Sequence, residues 1–272
     1  MELSSRCNAW CPACPRNDSG FGLNPHVVEQ DLSIERFEEI LKSLPSIETV
    51  QFCGNYGDPV IAKNIIESLE MSKKYVKKIQ IHTNGSLRNQ KWWRDLAQVL
   101  QPIDHDVWFG IDGIGSTHEI YRQGTDYDKI ISNATAFINS GGHATWQFIP
   151  YAHNEHQIRE CFATSQKLKF KKFKIAKLYR EKTKARHWKT GEPFDLLPPK
   201  EFQSLLRMPK VNTKVESVNC MHVSYPSMYL AADGKISRCC YLSGAEMFDK
   251  VESLFYNQVN FDNVICLKSC GT

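Results

Sequence analysis

The sequence predicts an α/β protein built on a parallel sheet. Six short runs rich in β-branched and aromatic residues alternate with five amphipathic segments, and polar, glycine-rich turns follow the runs. Such alternation calls for parallel strands joined by right-handed crossovers. Turns after the carboxyl ends of those strands are where barrels and doubly wound sheets place their active sites. A third observation says what the turns could do: the first run leads straight into three cysteines, Cys7, Cys11 and Cys14.

The elements follow in order. Glu2 to Ser5 is a short strand-like run, and Asn17 to Asp31 is a polar loop punctuated by Gly and Pro. Ser33 caps a helix whose apolar face carries Ile34, Phe37, Ile40, Leu41 and Leu44. Ile47 to Phe52 is a strand running into Cys53-Gly54-Asn55-Tyr56-Gly57-Asp58-Pro59. Ile61 to Tyr75 is helical, Lys78 to His82 a strand, Thr83-Asn84-Gly85-Ser86 a turn, and Trp92 to Leu100 helical. Val107 to Ile111 is a strand ending in Asp112-Gly113, followed by the helix Tyr127 to Asn139. Thr145 to Pro150 is a strand, Glu155 to Leu168 a helix and Phe170 to Ala176 the last strand.

Composition narrows the class. A chain of 272 residues fits one large domain, or a domain with an appendage, and 42% hydrophobic residues can fill a substantial core. The mild charge of +4 suggests neither a histone-like nucleic-acid binder nor an acidic disordered chain. No charged lead into an apolar run opens the sequence, and no stretch approaches a membrane span, so a soluble, cytoplasmic protein is expected. Ten cysteines in a reducing cytosol argue for metal ligation over disulfides.

Cys7-Asn8-Ala9-Trp10-Cys11-Pro12-Ala13-Cys14 is a C-x3-C-x2-C loop. Four thiolates would complete a structural zinc site or a ferredoxin-type cubane, whereas three leave a coordination position for something else. A zinc knuckle borrowing a remote ligand, or three unrelated buried thiols, are the alternatives. This spacing resembles the signature of the radical S-adenosylmethionine (SAM) superfamily. The resemblance implies a partial (β/α)6 TIM-like barrel and a [4Fe–4S] cluster on Cys7, Cys11 and Cys14 whose fourth iron binds the amino and carboxylate groups of SAM.

Further motifs are similar to that family's. Gly54, Asn55, Gly57 and Asp58 occupy the place of its Gly-Gly-Glu-Pro stretch, where backbone holds the SAM amino group. An inserted Asn-Tyr and an Asp in place of Glu make the match loose, and a plain turn would use the same residues. Thr83-Asn84-Gly85 resembles the Thr-Asn-Gly after the third strand. Ile111-Asp112-Gly113 resembles the Ser-Ile-Asp-Gly beside the SAM ribose, with Gly110 where serine is usual, which leaves Asp112 as the expected polar partner. His118 to Gly124, including Arg122, with Tyr127 and Asn133, looks like the segment of members carrying a SPASM or twitch domain; a solvated helix entry is the alternative for Arg122. Trp146 to Ile149 through Asn154-Glu155-His156 is similar to that subgroup's fifth strand and following helix. The aromatic residue often found before the third cysteine is Ala13 here, so Trp10 becomes either a flat wall for the ligand or a packed indole.

Leu168 to Lys189 is a basic run whose first half alternates charge with Leu168, Phe170, Phe173 and Ile175, the pattern of a half-buried strand with a lysine face. Its second half, with Trp188, could pair with phosphates or an acidic substrate, but solvation is the commoner meaning, so nucleic acid is not an expected partner. The domain reading is a radical SAM partial barrel over 1–185, a linker with one helix (Pro199 to Leu206) over 186–219, and a small unit over 220–272. Ser227 to Ala232 and Lys235 to Cys239 flank Asp233-Gly234, a strong hairpin signal. With Cys220 upstream, Gly234-x4-Cys239 resembles the opening of a twitch-type auxiliary-cluster domain, and Cys266-x3-Cys270 would complete a second [4Fe–4S] cluster on Cys220, Cys239, Cys266 and Cys270. Adjacent strand residues point to opposite faces, so one of Cys239 and Cys240 is the ligand, and the glycine spacing favours Cys239.

The resemblance implies reductive cleavage of SAM to a 5′-deoxyadenosyl radical, hydrogen abstraction from substrate, and an oxidative outcome on a small molecule or peptide side chain. It also implies a reductant such as flavodoxin or ferredoxin. Twitch relatives act on peptides, aminosugar-type alcohols and nucleotides. With six residues before Cys7, a ribosomal-peptide maturase would need a separate recognition protein. A non-catalytic metal-binding interaction module is the competing class.

Overall fold

The computed structural model describes residues 1–44, 46–176, 182–200, 227–240 and 247–252. At its centre is a five-stranded sheet in the order β1 (Ile47–Phe52), β2 (Val76–Thr83), β3 (Asp104–Gly110), β4 (Ala144–Phe148) and β5 (Lys172–Ile175). Every neighbouring pair is parallel, as the alternation of elements requires. The helices are α1 (Ile34–Ser43), α2 (Ile65–Ser72), α3 (Gln90–Val99), α4 (Ser116–Tyr121), α5 (Tyr127–Asn139) and α6 (Ile158–Lys167). Side-chain caps set three of the starts: Ser33 accepts from the Arg36 amide, Asn89 from Trp92 and Asp126 from Lys129.

The two faces of the sheet differ in chemistry. Val50, Phe52, Ile79, Ile81, Val107, Phe109, Trp146 and Phe148 are buried and belong to one core with Phe37, Leu69, Trp93, Phe137 and Cys161 of the helices. Their alternate neighbours, among them Gln51, Gln80, His82, Trp108, Gln147 and Lys174, give the other face a polar lining. A parallel sheet covered by helices on one side and polar on the other is the wall of a partial barrel, with its cavity on the polar side.

The sixth expected strand is not a member of this sheet. Ser4 makes one isolated antiparallel bridge to Asp31, and the Met1 carbonyl accepts from the Cys53 amide at 3.0 Å. The run is too short to ladder along β1; it lies instead against the loop that follows it. A second difference is an antiparallel pair, β6 (Thr183–Arg186) with β7 (Pro193–Leu196), in a stretch whose basic and proline content suggested a solvated run and a linker. Ala185 and Leu196 are its buried residues, too few to show as periodicity.

The expected C-terminal hairpin is present, with β8 (Tyr229–Leu230) antiparallel to β9 (Ile236–Ser237) and Gly234 at φ +80° in the turn. It packs on the start of the chain: the Glu2 amide donates to the Leu230 carbonyl at 2.8 Å, and Arg36 Nε donates to the Gly234 carbonyl at 2.9 Å. Most of the expected helix after Pro199, and Cys220, Cys266 and Cys270, lie outside the described residues. Among the described residues no helix is long and apolar enough to cross a membrane.

Candidate functional site

A cavity of about 350 Å³ opens at the carboxyl end of the sheet. Cys7, Cys11 and Cys14 line it together with Cys53, Gly54, Asn55, Tyr56, Gly57, Asp58, Thr83, Asn84, Gly110 and Arg122. His82 and Gln147 reach it from the polar face of β2 and β4. Its volume lies in the range of small-molecule sites.

The cysteine loop is held from within and from both sides. The Cys14 amide donates to the Cys11 carbonyl at 3.0 Å, and the buried Asn17 amide group donates to the carbonyls of Ala9 (3.2 Å) and Cys11 (3.3 Å). Asn8 donates to Ser86 Oγ at 2.7 Å and accepts from Asn84 Nδ2 at 2.9 Å, fastening the loop to the turn after β2. That turn is anchored by Asn133 of α5, whose Nδ2 donates to the Gly85 carbonyl at 2.9 Å. Trp10 is not among the residues lining the cavity and stacks on Trp188, with ring centroids 6.0 Å apart and planes 6° from parallel. It is the packed indole rather than a wall for the ligand.

Burial pushes the Cys11 thiol up to about 12, although the Arg122 guanidinium pulls the other way. Burial and the Asp58 carboxylate raise Cys7 further. Such thiols give up their protons only to a strong positive partner, and metal ligation provides one. Three thiols on one cavity wall with a guanidinium beside them are a donor set suited to an iron–sulfur cluster with one open position. Among the described residues no three His, Cys, Asp or Glu side chains converge to hold a single metal ion.

The loop after β1 owes its glycines to the neighbouring chain. A Cβ at Gly57 would stand 1.7 Å from the Ser4 carbonyl oxygen, and one at Gly54 would stand 2.7 Å from Glu2 Oε1. The buried Glu2 carboxylate accepts from the amides of Tyr56 (2.8 Å) and Gly57 (3.0 Å) and from the Tyr229 hydroxyl (2.8 Å). Across trans peptides the preceding carbonyls, of Asn55 and Tyr56, therefore point away from Glu2. Asp58 is a tie between strands. It accepts from Val60 N, from Thr83 Oγ1 at 2.9 Å and from Asn84 N at 2.8 Å, and burial raises its carboxyl despite these bonds.

Asp112 is not at the cavity surface. Its side chain is fully buried, with Oδ1 accepting from the Ile149 amide and Oδ2 from Arg122 Nε, both at 2.6 Å. Burial pushes this carboxyl up while the guanidinium and the amide pull it down; Arg122 stays protonated. Asp112 is thus a seat for Arg122, with one hydrogen bond accepted at each carboxylate oxygen. Gly110 completes the seat, since a Cβ there would stand 2.6 Å from Arg122 Nη2. The side chain missing from that position is replaced in space by the guanidinium. His118 is fully buried; its Nδ1 accepts from the Asp112 amide at 3.0 Å and its Nε2 donates to Thr125 Oγ1 at 3.0 Å.

The structure therefore brings Cys7, Cys11, Cys14, Gly54, Asn55, Gly57, Asp58, Thr83, Asn84 and Arg122 to one cavity, with Asp112 directly behind it. Of the C-terminal cysteines, Cys239 is buried and Cys240 half-buried, and Asn55 Nδ2 donates to the Cys240 carbonyl at 2.9 Å. Glu2, Asn8, Asn17 and Ser86 also build the site. Asn8 and Ser86 lie inside the cysteine loop and the Thr83–Ser86 turn without having been singled out, and no motif marked Glu2 or Asn17.

Cysteines on a loop at the carboxyl end of a parallel sheet, beside a glycine turn and a seated arginine, define a cofactor-binding α/β fold. Residues 1–162 match the radical SAM superfamily, and that is more than half of the chain, so the chain belongs to the radical SAM superfamily. It is 24% identical over 139 residues to the tungsten-containing aldehyde ferredoxin oxidoreductase cofactor-modifying protein of Pyrococcus furiosus, covering 50% of this chain and 35% of that one. Among solved structures it is similar in fold to Streptococcus suis SuiB bound to S-adenosylmethionine, with a TM-score of 0.64, 15% identity and coverage of 94% of this chain and 64% of that one. It is also similar to anSMEcpe with bound AdoMet, with a TM-score of 0.51, 21% identity and coverage of 68% and 53%. The chain spans about a third of the curated relative and less than two thirds of either structure.

Proposed function

We propose that this chain is a radical SAM enzyme that oxidatively modifies a small molecule or a peptide side chain. The observation that carries the reading is the convergence of Cys7, Cys11 and Cys14 with the glycine loop and Arg122 on one cavity. When bound there, a [4Fe–4S] cluster supplies the electron that cleaves SAM to methionine and a 5′-deoxyadenosyl radical.

The chain's own residues bind and orient. Glu2 takes the amides of the glycine loop, which leaves the carbonyls of Asn55 and Tyr56 as acceptors for the SAM ammonium. Arg122, fixed by Asp112 and given room by Gly110, offers a planar pair of donors to the SAM carboxylate. Asp58 and Thr83 hold the ends of β1 and β2 together, and Asn84 keeps its amide group beside Cys7. Below them the polar face of the sheet receives substrate.

A twitch-type unit over 220–272, with Cys220, Cys239, Cys266 and Cys270 on a second [4Fe–4S] cluster, fits the oxidative outcome, since a substrate radical must lose an electron. A flavodoxin or ferredoxin in the cytoplasm is the expected reductant. Anaerobic preparations should contain about eight irons per chain, as two cubanes require. Replacing Cys7, Cys11 and Cys14 with alanine should leave about half of that iron. A colourless, zinc-containing protein would contradict the reading.

A further inference from the structure

We propose that the polar face of the sheet holds an anionic group of the substrate, with Lys174 as its charge partner and Gln147, His82 and Trp108 around it. This rests on the reading of the adjoining cavity as a radical SAM site and names the substrate class that site would take.

Register places these residues in two neighbouring rows. His82 faces Trp108 across β2 and β3; one step nearer the cavity mouth, Gly110 faces Gln147 and Gln147 faces Lys174 across β3, β4 and β5. Hydrogen-bonded strands lie about 4.8 Å apart, so the Lys174 backbone stands roughly 10 Å from Gly110 and its overlying Arg122. His82, Gly110 and Gln147 line the cavity directly, so the rows continue its floor toward β5.

Among the described residues, the charges along this face are matched except for one. Lys78 pairs with Asp104, Lys172 with Asp106, and Arg122 with Asp112. Lys174 is exposed and has no carboxylate partner among the described residues. Its ammonium lies 5.9 Å from the centroid of the Trp108 ring, which itself stacks on His82 at 4.5 Å and 18°. An unmatched cation beside the floor of a cavity, one strand from the lining residue Gln147, selects anions by field as well as by contact.

The neighbouring polar groups complete the argument. Among the described residues, Trp108 Nε1 and His82 Nε2 are both buried without a hydrogen-bond partner. Burial holds the His82 imidazole down at about 4, so it is neutral and contributes no competing charge. An indole N–H can only donate, and a buried donor without a partner is unfavourable until something accepts from it. With the Gln147 amide these groups suit an acceptor-rich ligand. Carboxylate and phosphate share that chemistry; an uncharged or cationic substrate does not.

The test uses the anaerobically reconstituted, SAM-loaded full chain and calorimetric titration with matched probes. These are 3-phenylpropionate against 3-phenylpropionamide, and phenyl phosphate against phenol. Each anion should bind roughly tenfold or more tighter than its neutral partner, as one charged hydrogen bond supplies. Whichever anion shows the larger margin identifies the carboxylate or the phosphate class. Lys174→Gln should abolish the margin, Lys174→Arg should keep most of it, and Trp108→Phe should reduce it. Iron content and SAM binding should not change in these variants. Equal binding of anions and neutral partners, no anion binding, or a margin that survives in Lys174→Gln would overturn the proposal. Failure of the wild-type chain to bind SAM would instead contradict the reading of the site itself.

Discussion

Asp112 and Arg122 show how one buried pair can organise a site from behind. Removing one member of a buried ion pair costs about 3–5 kcal/mol, because the other is left uncompensated. Asp112→Asn should therefore lower stability in urea denaturation and also weaken SAM binding, although its side chain does not reach the cavity. A double-mutant cycle with Arg122→Gln separates the two accounts. If Asp112 acts only by seating Arg122, the double variant should bind SAM no more weakly than Arg122→Gln alone; additive losses would restore a direct contact. His118 makes a second prediction at this scale. Burial, with help from Arg122, lowers its folded value from 6.5 to about 3. The unfolded chain therefore binds the extra proton between those values, and stability should fall as pH drops from about 6.5 toward 3. His118→Gln should flatten that part of the pH–stability curve, and an unchanged slope would show that other groups set it.

Between elements, the C-terminal hairpin and the glycine loop are mechanically one unit. Tyr229 at the start of β8 donates to Glu2, which in turn holds the amides of Tyr56 and Gly57, while Asn55 reaches the Cys240 carbonyl. Tyr229→Phe leaves a buried carboxylate oxygen short of a partner, a loss of about 1–3 kcal/mol. It should also weaken SAM binding, because the loop that offers carbonyls to the SAM ammonium loses its brace. Normal SAM affinity in a destabilised Tyr229→Phe would show that the hairpin supports the fold alone. This coupling was not legible in the sequence, since a glycine-rich turn looks the same whether its close neighbour is a ligand or residues 2–6. The elements themselves were more readable. α5 has the bounds that its periodicity gives, Tyr127–Asn139, and the β8–β9 turn falls on Asp233-Gly234. The six-residue α4 and the β6–β7 pair bury too little to leave a pattern.

At the scale of the whole molecule, the parallel sheet and the cysteine loop at its carboxyl end followed from alternation and spacing. The position of Asp112 behind the cavity lining did not, because spacing places a residue at a strand end without saying which side of the wall its side chain occupies. Membership of the radical SAM superfamily makes cleavage of SAM the central claim. The most direct test is chromatography of an anaerobic mixture of reconstituted protein, SAM and dithionite. The wild-type chain should form 5′-deoxyadenosine and methionine, and the Cys7, Cys11 and Cys14 triple alanine variant should form neither. Persistent 5′-deoxyadenosine in that variant, or none from a wild-type chain carrying its iron, would contradict the account.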